Sequence, residues 1–283
     1  MQELAKVLLV ERFSGEGGLD TSNFLTTDRV KEVLRTSRIG HQIYAFKTIG
    51  STNELANTLA LQGEADGSVI IAEAQTKGRG RAGKRWESPM GKGLWFSVIL
   101  RPDIGVKRAG LFPLVAAVAV AEAVEGTVCL QPSVKWPNDL LLEEKKFCGI
   151  LSEVQFTGVR VEYIVLGIGV NVNQEREDFS EELRDKATSL LIVTGRTIDR
   201  LALLAEVLYC LEKNYELILY RRAQEVLEKW RELCGYWGQP VVLVQGKSEV
   251  SGILEGLSED GGILLRTSSG TLTKALAGEL ELK

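Results

Sequence analysis

The ten residues from Lys77 to Trp86, KGRGRAGKRW, hold five Lys or Arg, three Gly and no acid. Through Lys92 the stretch gains one more base and one acid, Glu87, so it carries +5 in a chain whose formal net charge is −4, leaving −9 on everything else. Cations at that density, with no compensating acid nearby in sequence, repel one another unless an anion visits. Arginine offers paired planar donors to a carboxylate or phosphate, and Gly78, Gly80 and Gly83 let backbone N–H groups come close to a ligand. The chemistry that fits is capture of a small anionic ligand by a loop that orders when filled. The plain alternative is a solvated surface loop.

Two familiar phosphate-binding patterns do not fit. Gly78 to Lys84 matches G-x-x-x-x-G-K, but Arg85 stands where a Mg2+-binding Ser or Thr belongs, and WESPMGKGLWF breaks the helix that should follow. GIGVNVN (167–173) has two of the three glycines of a dinucleotide fingerprint and reads as a tight strand. A better match is a step in which a carboxylate attacks the α-phosphate of ATP: two anions are brought together, and a closing cationic loop offsets their repulsion as pyrophosphate leaves. A second group, Lys135, Asn138, Asp139 and Lys146 in VKWPNDLLLEEKKFCGIL, falls around turns between strands, where rigid elements can aim side chains into one pocket. Trp136-Pro137 among them also reads as a packed turn.

The elements that must place these groups are legible in outline. FSGEGGLDTSN is a loop, and TTDRVKEVLRT a short helix capped by Thr26, Thr27 or Asp28. QIYAFKT alternates as a strand. STNELANTLALQG opens with Ser51 three residues before Glu54, the capping-box spacing, and puts Leu55, Ala56, Leu59 and Ala60 on one helical face. The strands GSVIIAEAQ and GLWFSVILRP bracket the basic loop. AGLFPLVAAVAVAEAVE is a helix apolar all round, to be covered against a sheet. Residues 198 to 233 form one or two long amphipathic helices closed by Gly235. From Tyr236 onward, short strands and Gly-rich turns predict a small β-barrel. The order of elements predicts an α+β fold with a mixed sheet rather than repeating βαβ units.

With 283 residues, 45% hydrophobic and 25% charged, the chain can bury a full core. MQELAKVLLVER reads as neither signal peptide nor span, and the longest apolar run is eleven residues, so the expectation is a cytoplasmic protein with no membrane role. Four widely spaced cysteines without Cys-x-x-Cys, and a single histidine, His41, predict no Cys/His metal site and argue against a Ser-His-Asp triad. The cysteines are expected to be reduced and packed, and His41 to lie at the surface or a strand end. The acidic balance argues against a general nucleic-acid binder.

Taken in order, Ser51-Thr52-Asn53, Gln75, Gly78 to Trp86, Lys135-Trp136-Pro137-Asn138-Asp139-Leu140, Lys146 to Gly149 and Gly167 to Asn173 closely resemble biotin protein ligases, from about Ile39 to the C-terminus. The resemblance implies a catalytic domain of the biotin/lipoate ligase type (39–235), a small C-terminal β-barrel domain (236–283) and a short N-terminal segment (1–38). It implies ATP-dependent conversion of biotin to biotinyl-5′-AMP and transfer to a lysine of the biotin carboxyl carrier protein, an acetyl-CoA carboxylase subunit. Ser51, Thr52, Asn53 and Gln75 would surround the ureido head; Arg79, Gly80 and Arg81 would contact biotin and its adenylate. Lys146 would meet the biotin carboxylate and then the α-phosphate, and Trp86 would stack on adenine, with Lys84, Asn138 and Asn171 on the nucleotide. Asp139 is expected to orient or deprotonate the incoming lysine. Lys283 would reach the nucleotide from the terminal barrel. Mg2+ is implied by ATP, a homodimer is plausible for the family, and DNA binding is not expected because only some forty residues, without a two-helix pattern, precede the catalytic region. The alternatives are a lipoate protein ligase and a biotin-responsive transcriptional regulator.

Overall fold

The structure, a computed structural model, describes residues 23–282. The readings placed on residues 1–22 and on Lys283 lie outside it. Helix α1 (Thr27–Val33) is capped by Thr26, whose hydroxyl accepts from Arg29 N at 3.4 Å. Strand β1 (Ile43–Ile49), helix α2 (Thr52–Leu61) and strand β2 (Val69–Gln75) form a crossover, so β1 and β2 run parallel. Every other neighbour is antiparallel: β3 (Gly93–Leu100), β4 (Ser133–Lys135), β5 (Asp139–Leu142), β6 (Lys145–Thr157) and β7 (Arg160–Asn171) complete a seven-stranded sheet in the order β1-β2-β3-β7-β6-β5-β4. The mixed sheet of the α+β expectation is therefore present.

Strand β3 is buried at every residue because both faces of the sheet are covered. On one side α2 lays Leu55, Ala56, Leu59 and Ala60 on Phe46, Ile70 and Ile99. On the other lies α3 (Phe112–Val128), itself backed by α5 (Arg200–Leu219) and α6 (Ala223–Leu233), with the one-turn helix α4 (Leu190–Thr194) before them. Residues Val106–Val128 are long and apolar enough to cross a membrane by length and composition, yet most of this stretch is buried as the central helix of the core. The stretch 198–233 is two helices, with Arg221 at φ 62° between them. Gly235 does not close them: α6 stops at Cys234 in extended geometry. His41 is exposed just before β1, and three cysteines are buried; Cys129 is exposed instead, at the left-handed end of α3.

The C-terminal strands β8 (Pro240–Gln245), β9 (Ser248–Leu257), β10 (Ile263–Arg266), β11 (Leu272–Ala275) and β12 (Glu279–Leu282) form a five-stranded antiparallel sheet, ordered β11-β10-β9-β8-β12. Its apolar side joins the main core through Val241, Leu254 and Ile263. Backbones approach closely at the junction: a Cβ on Gly261 would lie 2.8 Å from Gly110 O. Trp136 is buried there and donates from its indole to Gly261 O at 3.0 Å, so the Trp136-Pro137 turn is indeed packed. This docking brings β12 to the rim of the basic loop.

Candidate active site

A cavity of about 410 Å3 runs from the N-terminus of α2, across β3, β7 and β6, to β12. Its closed end is built from Ser51, Thr52 and Asn53, all buried. The expected capping box does not form, since Ser51 makes no side-chain cap at α2. Gln75, at the end of β2, supplies the acceptor: its Oε1 takes the Thr52 N–H (2.9 Å) and hydroxyl (3.1 Å), while its Nε2 donates to Ser88 Oγ at 2.9 Å. A helix-end donor is thus satisfied from another element, and Ser51 remains on the cavity wall. Ser97 on β3 lies 2.8 Å from Thr52 Oγ1 and 2.6 Å from Asn53 Oδ1. Asn53 Nδ2 donates to Glu153 Oε2 at 2.9 Å. Sequence reasoning missed Ser97 and Glu153, although Ser97 is the only hydroxyl in the apolar run GLWFSVIL.

Three glycines make the floor. Gly149 and Gly169 face each other across β6 and β7, and Cβ atoms there would lie 2.7 Å from Trp86 Cζ3 and 2.5 Å from Trp86 Nε1. A Cβ on Gly167 would fall 2.0 Å from Asn53 Oδ1. GIGVN is therefore more than a tight strand: it lets an indole and a carboxamide lie directly on backbone. Trp86 meets Trp95 edge-on at 6.4 Å, and Lys146 Nζ stands 5.3 Å from its ring centre.

The basic loop folds as a tight hairpin with an Arg79–Arg85 bridge, Gly80 N donating to Lys84 O at 2.7 Å and Trp86 N to Gly78 O at 3.0 Å. Its cations find acids remote in sequence. Arg79 pairs with Glu153 at 2.9 Å and Lys84 with Glu279 at 2.7 Å, while Lys92 pairs with Asp178 at 3.0 Å. Arg81 donates to Asn138 Oδ1 at 2.9 Å and to Gly278 O at 3.2 Å. Burial pulls the Arg81 guanidinium below its usual range, against the opposing charges of Asp139 and Glu279. The Lys84 hydrogen bond holds the Glu279 carboxyl below the usual carboxylate range, outweighing the cost of burial.

At the open end Lys146 Nζ lies 2.6 Å from Asp139 Oδ1, a charge contact rather than an aligned hydrogen bond. Lys146 is clamped through its backbone by residues 186–188: its N donates to Lys186 O and its O accepts from Thr188 N, both at 2.9 Å. Asn138 Nδ2 donates to Ile150 O at 2.8 Å. Asn171 lines the cavity with its amide already engaged, donating to Thr188 O at 3.1 Å and accepting from Gln174 Nε2 at 2.8 Å. One cavity thus gathers every site residue named from the sequence except Lys283, which lies outside the described residues, together with Lys135 and with Glu279 from the small domain. Among the described residues no group of three or more His, Cys, Asp or Glu could hold a metal ion. A closed end rich in matched donors and acceptors suits a neutral polar head, and a cationic mouth suits carboxylate and phosphate.

Comparison with known proteins agrees. Residues 45–171 match the Biotin/lipoate A/B protein ligase family, and residues 236–283 match the Biotin protein ligase C terminal domain. The chain is 35% identical over 258 residues to the bifunctional ligase/repressor BirA of Bacillus spizizenii, covering 91% of this chain and 79% of that one. It is 32% identical over 241 residues to the biotin--[acetyl-CoA-carboxylase] ligase of Mycobacterium tuberculosis, covering 83% and 86% respectively. A biotin protein ligase from Aquifex aeolicus solved with biotin and ATP superposes with a TM-score of 0.74 at 35% identity, over 86% of this chain and 99% of that one. By fold, by site and by these matches, the chain belongs to the ATP-dependent biotin protein ligases.

Proposed function

We propose that this cavity carries out both half-reactions, with the biotin head at the closed end and the nucleotide at the mouth. The observation that carries the assignment is the junction, in one cavity, of the Ser51–Thr52–Asn53–Gln75 pocket with the Arg81–Lys146 mouth. A buried urea needs donors and acceptors on both sides, which Ser51, Thr52, Asn53 and Gln75 supply. In the first step a biotin carboxylate oxygen attacks the α-phosphorus of ATP and pyrophosphate leaves. Lys146 and Arg81 stabilise the charge that builds on the phosphoryl oxygens, Arg79 and Gly80 close over the adenylate, and Lys84 stands at the phosphate end. Trp86, Asn138 and Asn171 frame the nucleotide side. Asn138 does so by steering Arg81, and Asn171 by holding the 171–188 segment.

In the second step the ε-amine of an acceptor lysine attacks the acyl carbon, AMP leaves, and an amide forms. Asp139, beside Lys146, orients that lysine and takes the proton its nitrogen loses as the amide forms. Mg2+ would enter as part of the MgATP substrate, held by the nucleotide phosphates and water. The acceptor we infer is the biotin carboxyl carrier subunit of acetyl-CoA carboxylase, in keeping with the names of the Mycobacterium tuberculosis and Paracoccus denitrificans relatives, and the setting is the cytoplasm. A homodimer is supported by β6, whose pairing with β5 ends at Gly149, leaving β7 as its ladder partner out to Thr157. No DNA role is proposed.

The test is incubation with ATP, Mg2+ and either biotin or lipoate, following pyrophosphate release and bound acyl-adenylate by mass spectrometry. Biotin alone is expected to give adenylate, and Arg81→Ala to lose bound adenylate about a hundredfold faster, as for loss of a buried charged contact. Adenylate from lipoate instead would overturn the assignment.

A further inference from the structure

Glu153 has no assigned part in this chemistry, yet its carboxylate joins the two ends of the site. It stands on β6, opposite Val165 of β7. Its Oε2 accepts from Asn53 Nδ2 at 2.9 Å and from Asn57 Nδ2 at 3.0 Å, and its Oε1 accepts from Arg79 Nη2 at 2.9 Å. Asn53 and Asn57 sit one turn apart on α2, and Asn57 also donates to Asn53 O at 3.1 Å. An ionised carboxylate can only accept, so it turns the amide nitrogens of both asparagines toward itself and leaves Asn53 Oδ1 facing Ser97, 2.6 Å away. The same group is the anchor for the first arginine of the basic loop.

We propose that Glu153 is the positioning residue that couples the head pocket to the loop: it fixes which way the Asn53 carboxamide points and, through Arg79, holds the loop over whatever fills that pocket. Glutamine cannot replace it, because its NH2 would face either the two asparagine donors or the guanidinium, donor against donor. The inference rests on the closed end being the seat of biotin. Biotin-dependent pyrophosphate release by the unaltered protein checks that separately.

The experiment uses the whole chain, Glu153→Gln, Arg79→Ala and the double variant, measuring KM for biotin and for ATP, the rate at which preformed biotinyl-adenylate is lost, and the melting temperature. Glu153→Gln is expected to raise the biotin KM and the rate of adenylate loss about tenfold each, as for loss of a charge-assisted hydrogen bond, with the ATP KM little changed. The double variant should lose adenylate more slowly than the two single effects combined would give, since the two share the Glu153–Arg79 contact. Unchanged biotin KM and adenylate loss in Glu153→Gln would overturn the proposal. So would equal rises in both KM values with a lowered melting temperature, or additive effects in the double variant.

Discussion

At Gly169 a single missing carbon allows Trp86 to lie on the sheet, and the same holds at Gly149 across the ladder. These glycines owe their place to contact rather than conformation, for neither has a left-handed φ. Gly169→Ala would press a methyl to 2.5 Å from the indole nitrogen and push the ring into the cavity. We expect the ATP KM to rise about tenfold and the melting temperature to fall by a few degrees, the usual scale of overpacking by one carbon. Titration of ATP in the pyrophosphate assay reads this directly, and an unchanged KM would mean that Trp86 does not border the nucleotide seat.

Among the elements, the basic hairpin and β12 lie 195 positions apart at Lys84 and Glu279 and meet through Lys84–Glu279 and Arg81–Gly278 O. The Lys84–Glu279 pair is exposed on both sides, so it is worth only about 0.2–1 kcal/mol and is screened by salt. Its effect belongs to loop opening rather than to overall stability. Glu279→Gln should therefore speed loss of bound adenylate about two- to fivefold at low salt and flatten the salt dependence seen in the unaltered protein, with no change in melting temperature. Stopped-flow release at two salt concentrations checks it, and parallel salt dependences would remove the latch.

For the whole molecule, α5 ties down the approach to β1. Glu212 accepts from the backbone N–H groups of Ser37 (2.9 Å), Arg38 (2.7 Å) and Ile39 (2.8 Å). Burial pushes this carboxyl up, but those hydrogen bonds outweigh it and hold it below its ordinary value. A carboxyl depressed on folding contributes stability in full above its unfolded value, about 4.3, and that contribution is lost as pH falls through the folded one. Glu212→Gln is expected to cost about 1–3 kcal/mol near neutral pH and to converge on the unaltered protein in acid. Melting curves from pH 3 to 7 decide it: two parallel pH profiles would show that the carboxylate charge contributes nothing there.

The sequence by itself determined the helices and strands around the site, the cationic loop, the residues that line the closed end of the cavity and the family, because capping residues, hydrophobic periodicity and turn glycines act over a few neighbours and the motifs keep their order along the chain. It did not determine that Ser51 leaves its helix uncapped, because the acceptor that replaces it is Gln75 on another strand. Nor did it show that Arg79 and Lys84 of the loop pair with Glu153 and Glu279, 74 and 195 positions away, or that the glycines of β6 and β7 form a floor. Those follow from the sheet order, in which β7 enters between β3 and β6, and from the docking of β12 at the cavity rim. Side chains remote in sequence meet only when strand register and domain packing are set, and only the tertiary structure sets them.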